Sequence, residues 1–169
     1  YGGGTGVVVF YGANDGMFHA INGNQASNIG AFVPGSQLWS FVAPEQYGRL
    51  KRIYDNSPAI TIPSIGDSTV KPYFFDGRIT AYKDSNTVWV YATQRRGGRM
   101  IYAFDASTPT NPSLKWRQGC PNLTDDTDCT SADISGIGQT WSAAISLKSA
   151  GYTSGSTPLP MLILGGGYD

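Results

Sequence analysis

The feature of this sequence that most constrains its fold is a repeated order of short strands. The run Val7–Tyr11 is β-branched and aromatic, and the Asp-Gly step that follows it is a strong hairpin signal. Met17–Asn22 continues as a second strand, and Leu38–Val42 predicts a third one that ends before Pro44. This order predicts a β-hairpin followed by a further strand.

The same order returns later in the chain. Phe18–Asn22 and Ile101–Asp105 share the pattern apolar, aromatic ring, Ala, apolar, Asx, and a third copy begins at Met161. Tyr73–Gly77 and Ser142–Ser146 are candidate first strands for the second and third copies, so that a complete unit has four strands. The strands predicted for the second copy, in chain order, are Val88–Ala92, Met100–Asp105 and Leu114–Trp116.

Repeated four-stranded antiparallel units are the blades of a β-propeller, and the predicted fold class is therefore all-β. The chain holds about two blades plus the start of a third, without a first strand for its first unit, and we expect it to be part of a larger propeller. The copies are spaced more widely than a minimal blade of about 40 to 50 residues. The predicted units are 7–57, 58–118 and 140–169, with an insertion at 119–139 and further long loops at 23–37 and 43–57.

Composition excludes several classes of protein. Only 14% of the residues are charged, and the 22 Gly and 10 Pro disfavour a mainly helical fold. The net charge of zero lacks the electrostatic footprint of a nucleic-acid or anionic-membrane binder. The apolar runs are too short to span a membrane. The two basic groups are interpreted as solvated loops: Arg49, Lys51 and Arg52, and Arg95, Arg96 and Arg99.

The two cysteines, Cys120 and Cys129, lie in a polar segment with little apolar content of its own. A disulfide that closes this loop is the favoured interpretation, and it indicates an oxidising compartment. Two unrelated free thiols are the alternative that the sequence leaves open.

Residues for catalysis are scarce. His19 is the only histidine and Glu45 is the only glutamate, and the sequence has no nucleophile elbow or phosphate-binding loop. His19 aligns with Tyr102 of the next copy, and we expect both rings to pack between blades. Trp39 and Trp116 end equivalent strands, and we expect their indoles to pack between blades as well.

Three segments together resemble the C-terminal β-propeller of the PilY1/PilC family of type IV pilus biogenesis proteins. They are Tyr11–Asn22, Tyr102–Pro109 and Gly165–Asp169, and the most specific part is the run Ala-Asn-Asp-Gly-Met-x-His-Ala in the first. The resemblance implies a secreted, non-enzymatic protein of the bacterial surface, outer membrane or pilus tip. Its role would be to promote pilus assembly over retraction and to attach cells to surfaces. The implied partners are minor pilins, host or abiotic surfaces, and the remaining blades.

The resemblance also implies a calcium site on a loop of the type Asp-x-Asp-x-Asp-Gly. No such loop occurs in residues 1–169, so any calcium is expected in blades outside them, with no cofactor in this segment. The weak candidates within the chain lack the turn glycine and the spacing of such a loop, and a solvated acidic loop is favoured. They are Asp125, Asp126, Asp128 and Asp133.

Two other functions remain open. A quinoprotein dehydrogenase shares these strand repeats, but such enzymes usually carry adjacent cysteines, whereas Cys120 and Cys129 are separated. An outer-membrane assembly scaffold built on a similar propeller would be non-enzymatic. If a region binds a partner, length and composition favour the loops Cys120–Cys129 and Ala43–Ser57.

Overall fold

The computed structural model describes residues 6–59 and 71–167. Within these ranges the protein is mostly β, with three separate antiparallel sheets in chain order and one α-helix. The all-β fold class is therefore confirmed. No helix in the described ranges is long and apolar enough to cross a membrane.

The first sheet has three strands in the order β1-β2-β3. Asp15 shapes the turn between β1 and β2, because its Oδ1 accepts a hydrogen bond from the backbone N–H of Met17 at 3.0 Å. Gly16 follows with a φ of 93°, a conformation that favours glycine. The strands are β1 (Val8–Gly12), β2 (Phe18–Asn22) and β3 (Gln37–Phe41).

The second sheet has four strands in the order β4-β5-β6-β7. Every residue of β6 except the last is buried, because both faces of this sheet are covered. The strands are β4 (Ile79–Asp84), β5 (Thr87–Thr93), β6 (Arg99–Asp105) and β7 (Ser113–Cys120).

The third sheet has two strands, β8 (Ile145–Ser154) and β9 (Thr157–Ile163). It is tied to β4 by a hydrogen bond of 2.5 Å from the Thr80 hydroxyl to the carbonyl oxygen of Ala144. An ion pair of 2.6 Å between Lys148 and Asp84 adds a second link.

Successive side chains along β5 and β6 point to opposite faces of the second sheet. Each face packs against one of the two neighbouring sheets. One face packs against Phe18 of the first sheet, and its aromatic contact with Phe104 spans 5.4 Å between ring centroids. The other face, which includes Tyr91 and Ala103, packs against Leu162 of the third sheet. The second sheet therefore lies between the other two, and its side chains supply most of the buried core.

The expectation that Tyr73–Gly77 forms a strand is wrong. The segment has no strand geometry, although Phe74 and Phe75 are buried at 3% and 4% exposure. Close backbone approaches explain this, because a Cβ on Gly12 would lie 1.8 Å from the carbonyl oxygen of Phe75. A Cβ on Gly97 would lie 1.7 Å from that of Phe74. The segment Tyr73–Gly77 therefore lies between the backbones at Gly12 and Gly97 instead of pairing in the second sheet. The first strand of that sheet is β4.

Two further expectations need correction. The candidate strand Ser142–Ser146 begins only at Ile145, as part of β8. The predicted loop 43–57 contains a 3₁₀ turn, Pro44–Gln46, followed by helix α1 (Tyr47–Asp55). Pro44 lies at the start of this 3₁₀ segment, and Glu45 is an acidic residue within it. Both are helix-start signals in the sequence, and they favour a helical segment here over a loop.

The predicted units agree with the sheets only in outline. The first sheet lies within 7–57, but β7 runs to Cys120 and therefore enters the predicted insertion 119–139. The unit boundaries themselves remain predictions. Residues 60–70 and 168–169, which belong to the second and third predicted units, lie outside the described residues.

Candidate functional site

The segment after the first sheet is held on the second sheet by Glu45. Its Oε2 accepts a hydrogen bond from the hydroxyl of Tyr102 at 2.5 Å, and its Oε1 accepts one from Nε2 of Gln94 at 2.6 Å. The next residue, Gln46, donates to the carbonyl oxygen of Gly97 at 2.7 Å. Burial raises the pKa of Tyr102, and the Glu45 carboxylate raises it further. The only glutamate of the chain is thus bound in structural contacts between sheets.

Tyr102 lies between the first and second sheets. It is fully buried, and its ring contacts Phe41 of β3 at 5.3 Å and Phe75 at 5.6 Å between centroids. The ring of Tyr102 thus contacts both sheets, and its packing between propeller blades stays a prediction.

His19 is also buried, but its contacts lie within the first sheet and its turn. Nδ1 lies 2.6 Å from Oε1 of Gln37, Nε2 lies 2.9 Å from Oδ2 of Asp15, and the ring stacks on Tyr11 at 5.0 Å. Because side chains alternate along β2, His19 points away from Phe18 and from the second sheet. Its packing between blades stays a prediction, which would require a neighbouring blade on this outer face of the first sheet.

The two tryptophans occupy corresponding places. Trp39 contacts Phe18 at 5.7 Å and Phe104 at 5.8 Å, and its Nε1 donates to the carbonyl oxygen of Pro109 at 3.0 Å. Trp116 lies 6.0 Å from Tyr91 on the face of the second sheet that meets the third sheet. Each indole thus lies between two successive sheets.

An apolar groove of about 390 Å³ opens between the second and third sheets. Its walls include Trp89, Ile101 and Trp116 on the second sheet, and Leu162 of β9 with Leu164 just beyond it. Among the described strands, β9 pairs with β8 alone, so its other edge is unpaired there.

The predicted disulfide between Cys120 and Cys129 is present. It closes a loop whose backbone is held by the guanidinium of Arg99, a residue that is 5% exposed. Arg99 donates from Nε to the carbonyl oxygen of Ile137 and from Nη1 to that of Asp125, each at 2.5 Å. The sequence interpretation placed Arg99 in a solvated basic group, and the structure corrects it, because its burial depends on a loop with few sequence signals.

The acidic side chains of this loop do not form a shared cluster. Asp126 pairs with Arg99 at 2.5 Å, and this contact lowers the pKa of Asp126. Hydrogen bonding to the side chain of Thr127 lowers the pKa of Asp125, and so does the hydrogen bond of 2.8 Å that Asp125 accepts from the backbone N–H of Thr127. Asp128 and Asp133 are exposed.

In the described part of the chain, the one group of three potential metal-ligating side chains is Cys120, Asp126 and Cys129. Its two sulfurs are joined to each other, so they offer no thiolate to a metal ion. These residues therefore do not fit a metal centre.

Comparison with known proteins gives a sequence relative. The chain is 32% identical over 142 residues, 80% of its length, to the type IV pilus biogenesis factor PilY1 homolog of Xylella fastidiosa. The chain therefore belongs to the PilY1 family. No family model matches the chain.

A solved structure supports the same relationship at the level of the fold. The C-terminal domain of Pseudomonas aeruginosa PilY1 matches 95% of the chain with a TM-score of 0.54 and 17% sequence identity. The chain spans 9% of the length of the Xylella relative and 24% of the solved PilY1 chain. The part of each relative that matches this chain is therefore small.

Proposed function

We propose that this chain is part of a β-propeller in a type IV pilus biogenesis protein, where it acts as a non-enzymatic binding module. The observation that carries the proposal is the 32% identity, over 142 residues, to the PilY1 homolog of Xylella fastidiosa. The run Ala-Asn-Asp-Gly-Met-x-His-Ala is the part of the sequence that most specifically resembles this family.

Three successive antiparallel sheets support the propeller as the architecture. The second sheet has four strands and is covered on both faces by its neighbours, as expected for a blade within a ring. We propose that the remaining blades of the same protein cover the outer faces of the first and third sheets. Exposed apolar side chains there support this: Val7 and Val9 are 50% and 46% exposed, and Ile145 and Ile163 are 55% and 56% exposed.

The contacts of the acid-base residues support a non-enzymatic role. His19 is buried and bonded to Gln37 and Asp15, and Glu45 is bonded to Tyr102 and Gln94. Both groups are therefore engaged in holding strands and turns together. Quinoprotein activity is the alternative, and dye-linked turnover after addition of quinone and calcium would favour it.

We further propose that the protein works at the bacterial surface or pilus tip, with minor pilins and a host or abiotic surface as partners. In this role it would favour pilus assembly over retraction and contribute to attachment. Calcium regulation, if present, is assigned to blades outside residues 1–169. The surfaces proposed for partner binding are the disulfide-closed loop Cys120–Cys129 and the segment Ala43–Ser57, which carries α1.

The test is an in-frame deletion of residues 6–167 in the bacterium that produces the protein. We expect few or no surface pili by electron microscopy, with recovery when the intact gene is returned. If pili also return when retraction is disabled in the deletion strain, the proposed bias toward assembly is supported. An unchanged number of pili in the deletion strain, with the protein still exported, would contradict the proposed function.

A further inference from the structure

The two cysteines of the disulfide differ in their exposure to solvent. Cys120 is fully buried and packs in an apolar cluster with Ile101 and Ile137. Cys129 lies at the edge of the same cluster and is only partly buried. Access decides which sulfur of a disulfide a thiol attacks, so a thiol from solvent reaches Cys129 more easily than Cys120.

The surroundings of Cys120 suit a neutral thiol. Its sulfur lies 3.8 Å from the carbonyl oxygen of Ile134 and 3.8 Å from Oδ1 of Asp126. Both oxygens can accept a hydrogen bond from an S–H group. Asp126 is itself paired with Arg99, which offsets its charge, and burial in an apolar cluster disfavours the thiolate form of a cysteine. Cys120 is therefore poorly suited to be the sulfur that first reacts with a molecule from solvent.

Hydrogen bonds between the chain neighbours of the two cysteines hold the pair together. The backbone N–H of Thr130 donates to the carbonyl oxygen of Gly119 at 2.9 Å, and the N–H of Gly119 donates to Oγ1 of Thr130 at 3.0 Å. The Thr130 hydroxyl donates to Oε1 of Gln118 at 2.6 Å. None of these three bonds involves sulfur, so cleavage of the S–S bond does not remove them. They keep Cys120 beside Cys129 when the disulfide is open.

We propose that Cys129 is the site at which this protein exchanges disulfides with thiol compounds, and that Cys120 is the resolving cysteine. In the reducing direction, a thiolate attacks Sγ of Cys129 and forms a mixed disulfide there. The bond to Cys120 breaks, its electron pair leaves with Cys120, and that sulfur takes up a proton. The proposal does not depend on the pilus role, and either can fail without the other.

Formation of the disulfide follows the reverse path. The thiolate of Cys129 attacks a disulfide compound, which is the oxidant, and releases one of its two halves as a thiolate. Cys120 then loses its proton and attacks Sγ of Cys129, which releases the second half. The disulfide compound thus accepts two electrons, and the protein gains one disulfide.

The test maps the mixed disulfide on the wild-type protein. The folded protein is incubated with glutathione for a series of short times, and acid stops the exchange. Free thiols are then alkylated with N-ethylmaleimide in urea at mildly acidic pH, and mass spectrometry of peptides shows which cysteine carries glutathione. The matched control is the same reaction carried out in urea, where both sulfurs are accessible. A second series uses cysteamine, whose positive charge tests whether the exposed acidic side chains of the loop decide the preference.

We expect glutathione on Cys129 in about tenfold or greater excess over Cys120 in the folded protein. No such excess should occur in urea, because the difference in burial is lost there. Cysteamine should show the same preference for Cys129 as glutathione does.

The variant Thr130→Val tests the hydrogen bonds that hold the pair together. It removes both bonds of the Thr130 hydroxyl, so the equilibrium with glutathione should shift toward the mixed disulfide by about five- to thirtyfold. Glutathione should still be found on Cys129. Thr153→Val, at an exposed threonine of β8, is the control and should behave as wild type. Thermal unfolding of both variants checks that the fold is kept.

Equal amounts of glutathione on the two cysteines of the folded protein, or an excess on Cys120, would overturn the proposal. A preference that reverses with cysteamine would overturn it as well, because charge instead of burial would then choose the sulfur. So would the absence of a mixed disulfide at every time point. A Thr130→Val variant that matches Thr153→Val would overturn the role assigned to the hydrogen bonds of Thr130.

Discussion

The hydroxyl of Tyr102 donates a hydrogen bond to Oε2 of Glu45 over 2.5 Å, and this contact joins the segment after the first sheet to the centre of the second. Gln94 donates to the other carboxylate oxygen at 2.6 Å. Two successive sheets are thus connected by a charged, partly buried acceptor as well as by aromatic packing. Hydrogen bonds to a charged group are stronger than neutral ones, so this contact is expected to contribute to stability.

The first prediction concerns the variant Tyr102→Phe. Loss of the hydroxyl leaves Oε2 of Glu45 without its donor, and the free energy of unfolding should fall by about 1 to 3 kcal/mol in urea titrations. Tyr54→Phe is the control, because Tyr54 is 91% exposed and should behave as wild type. Equal stability of both variants would show that the contact contributes nothing.

The same residue predicts a dependence on alkaline pH. The pKa of Tyr102 is raised in the folded protein, so the folded state holds this proton more tightly than the unfolded chain does. The stabilisation is complete below the ordinary tyrosine pKa of about 10 and is lost as the pH rises beyond it. Unfolding measured between about pH 8 and 11 should show a smaller loss of stability in Tyr102→Phe than in wild type. Parallel losses would contradict the assignment to Tyr102.

Two glycine substitutions should have opposite effects. Gly97→Ala places a Cβ 1.7 Å from the carbonyl oxygen of Phe74 and should destabilise the protein by about 1 to 3 kcal/mol or more. Gly48→Ala meets open space near the start of α1 and should stabilise it by up to about 1 kcal/mol. Denaturant midpoints of both variants check the signs. A neutral Gly97→Ala would contradict the wedged position of Phe74.

The variant Arg99→Lys tests how the disulfide-closed loop is held. Lysine lacks the planar fork that reaches Ile137, Asp125 and Asp126, so stability should fall by about 1.5 to 3 kcal/mol. The loop should also be cleaved faster by protease, which mass spectrometry would locate. Arg78→Lys, at an exposed arginine, is the control. Unchanged cleavage in the loop would show that the disulfide alone orders it.

The acidic loop gives a prediction about calcium. Asp126 is paired with Arg99 and Asp125 caps Thr127, so calcium would have to displace protein contacts. We expect no rise in melting temperature when calcium is added to this chain. A rise that Asp128→Ala abolishes would contradict this prediction and make the loop a calcium site.

The strands of the central sheet were predictable because their patterns are strong. Val88–Ala92 and Met100–Asp105 are β-branched or aromatic runs with turn signals between them, and both lie within the observed strands β5 and β6. The disulfide was predictable because Cys120 and Cys129 share a short polar loop.

Other parts depend on contacts that the local sequence does not encode. Phe74 and Phe75 have high strand propensity, but the backbones at Gly12 and Gly97 occupy the space beside them. The position of Arg99 depends on loop carbonyls more than twenty residues away in the chain. The two basic groups likewise come together only in the fold, where Arg49 and Arg52 of α1 and Arg96 of the turn before β6 line the same concavity.

The β-propeller proposal is tested most directly by a cryo-electron microscopy map of a longer form of this protein. We expect β1 and β9 each to gain a strand on the edge that is unpaired among the described strands, and the sheets to continue into a closed ring of blades. We also expect neighbouring blades to bury the outer faces that carry Val9 and Ile145. A map in which these edges and faces remain in solvent, with no ring, would contradict the proposed propeller.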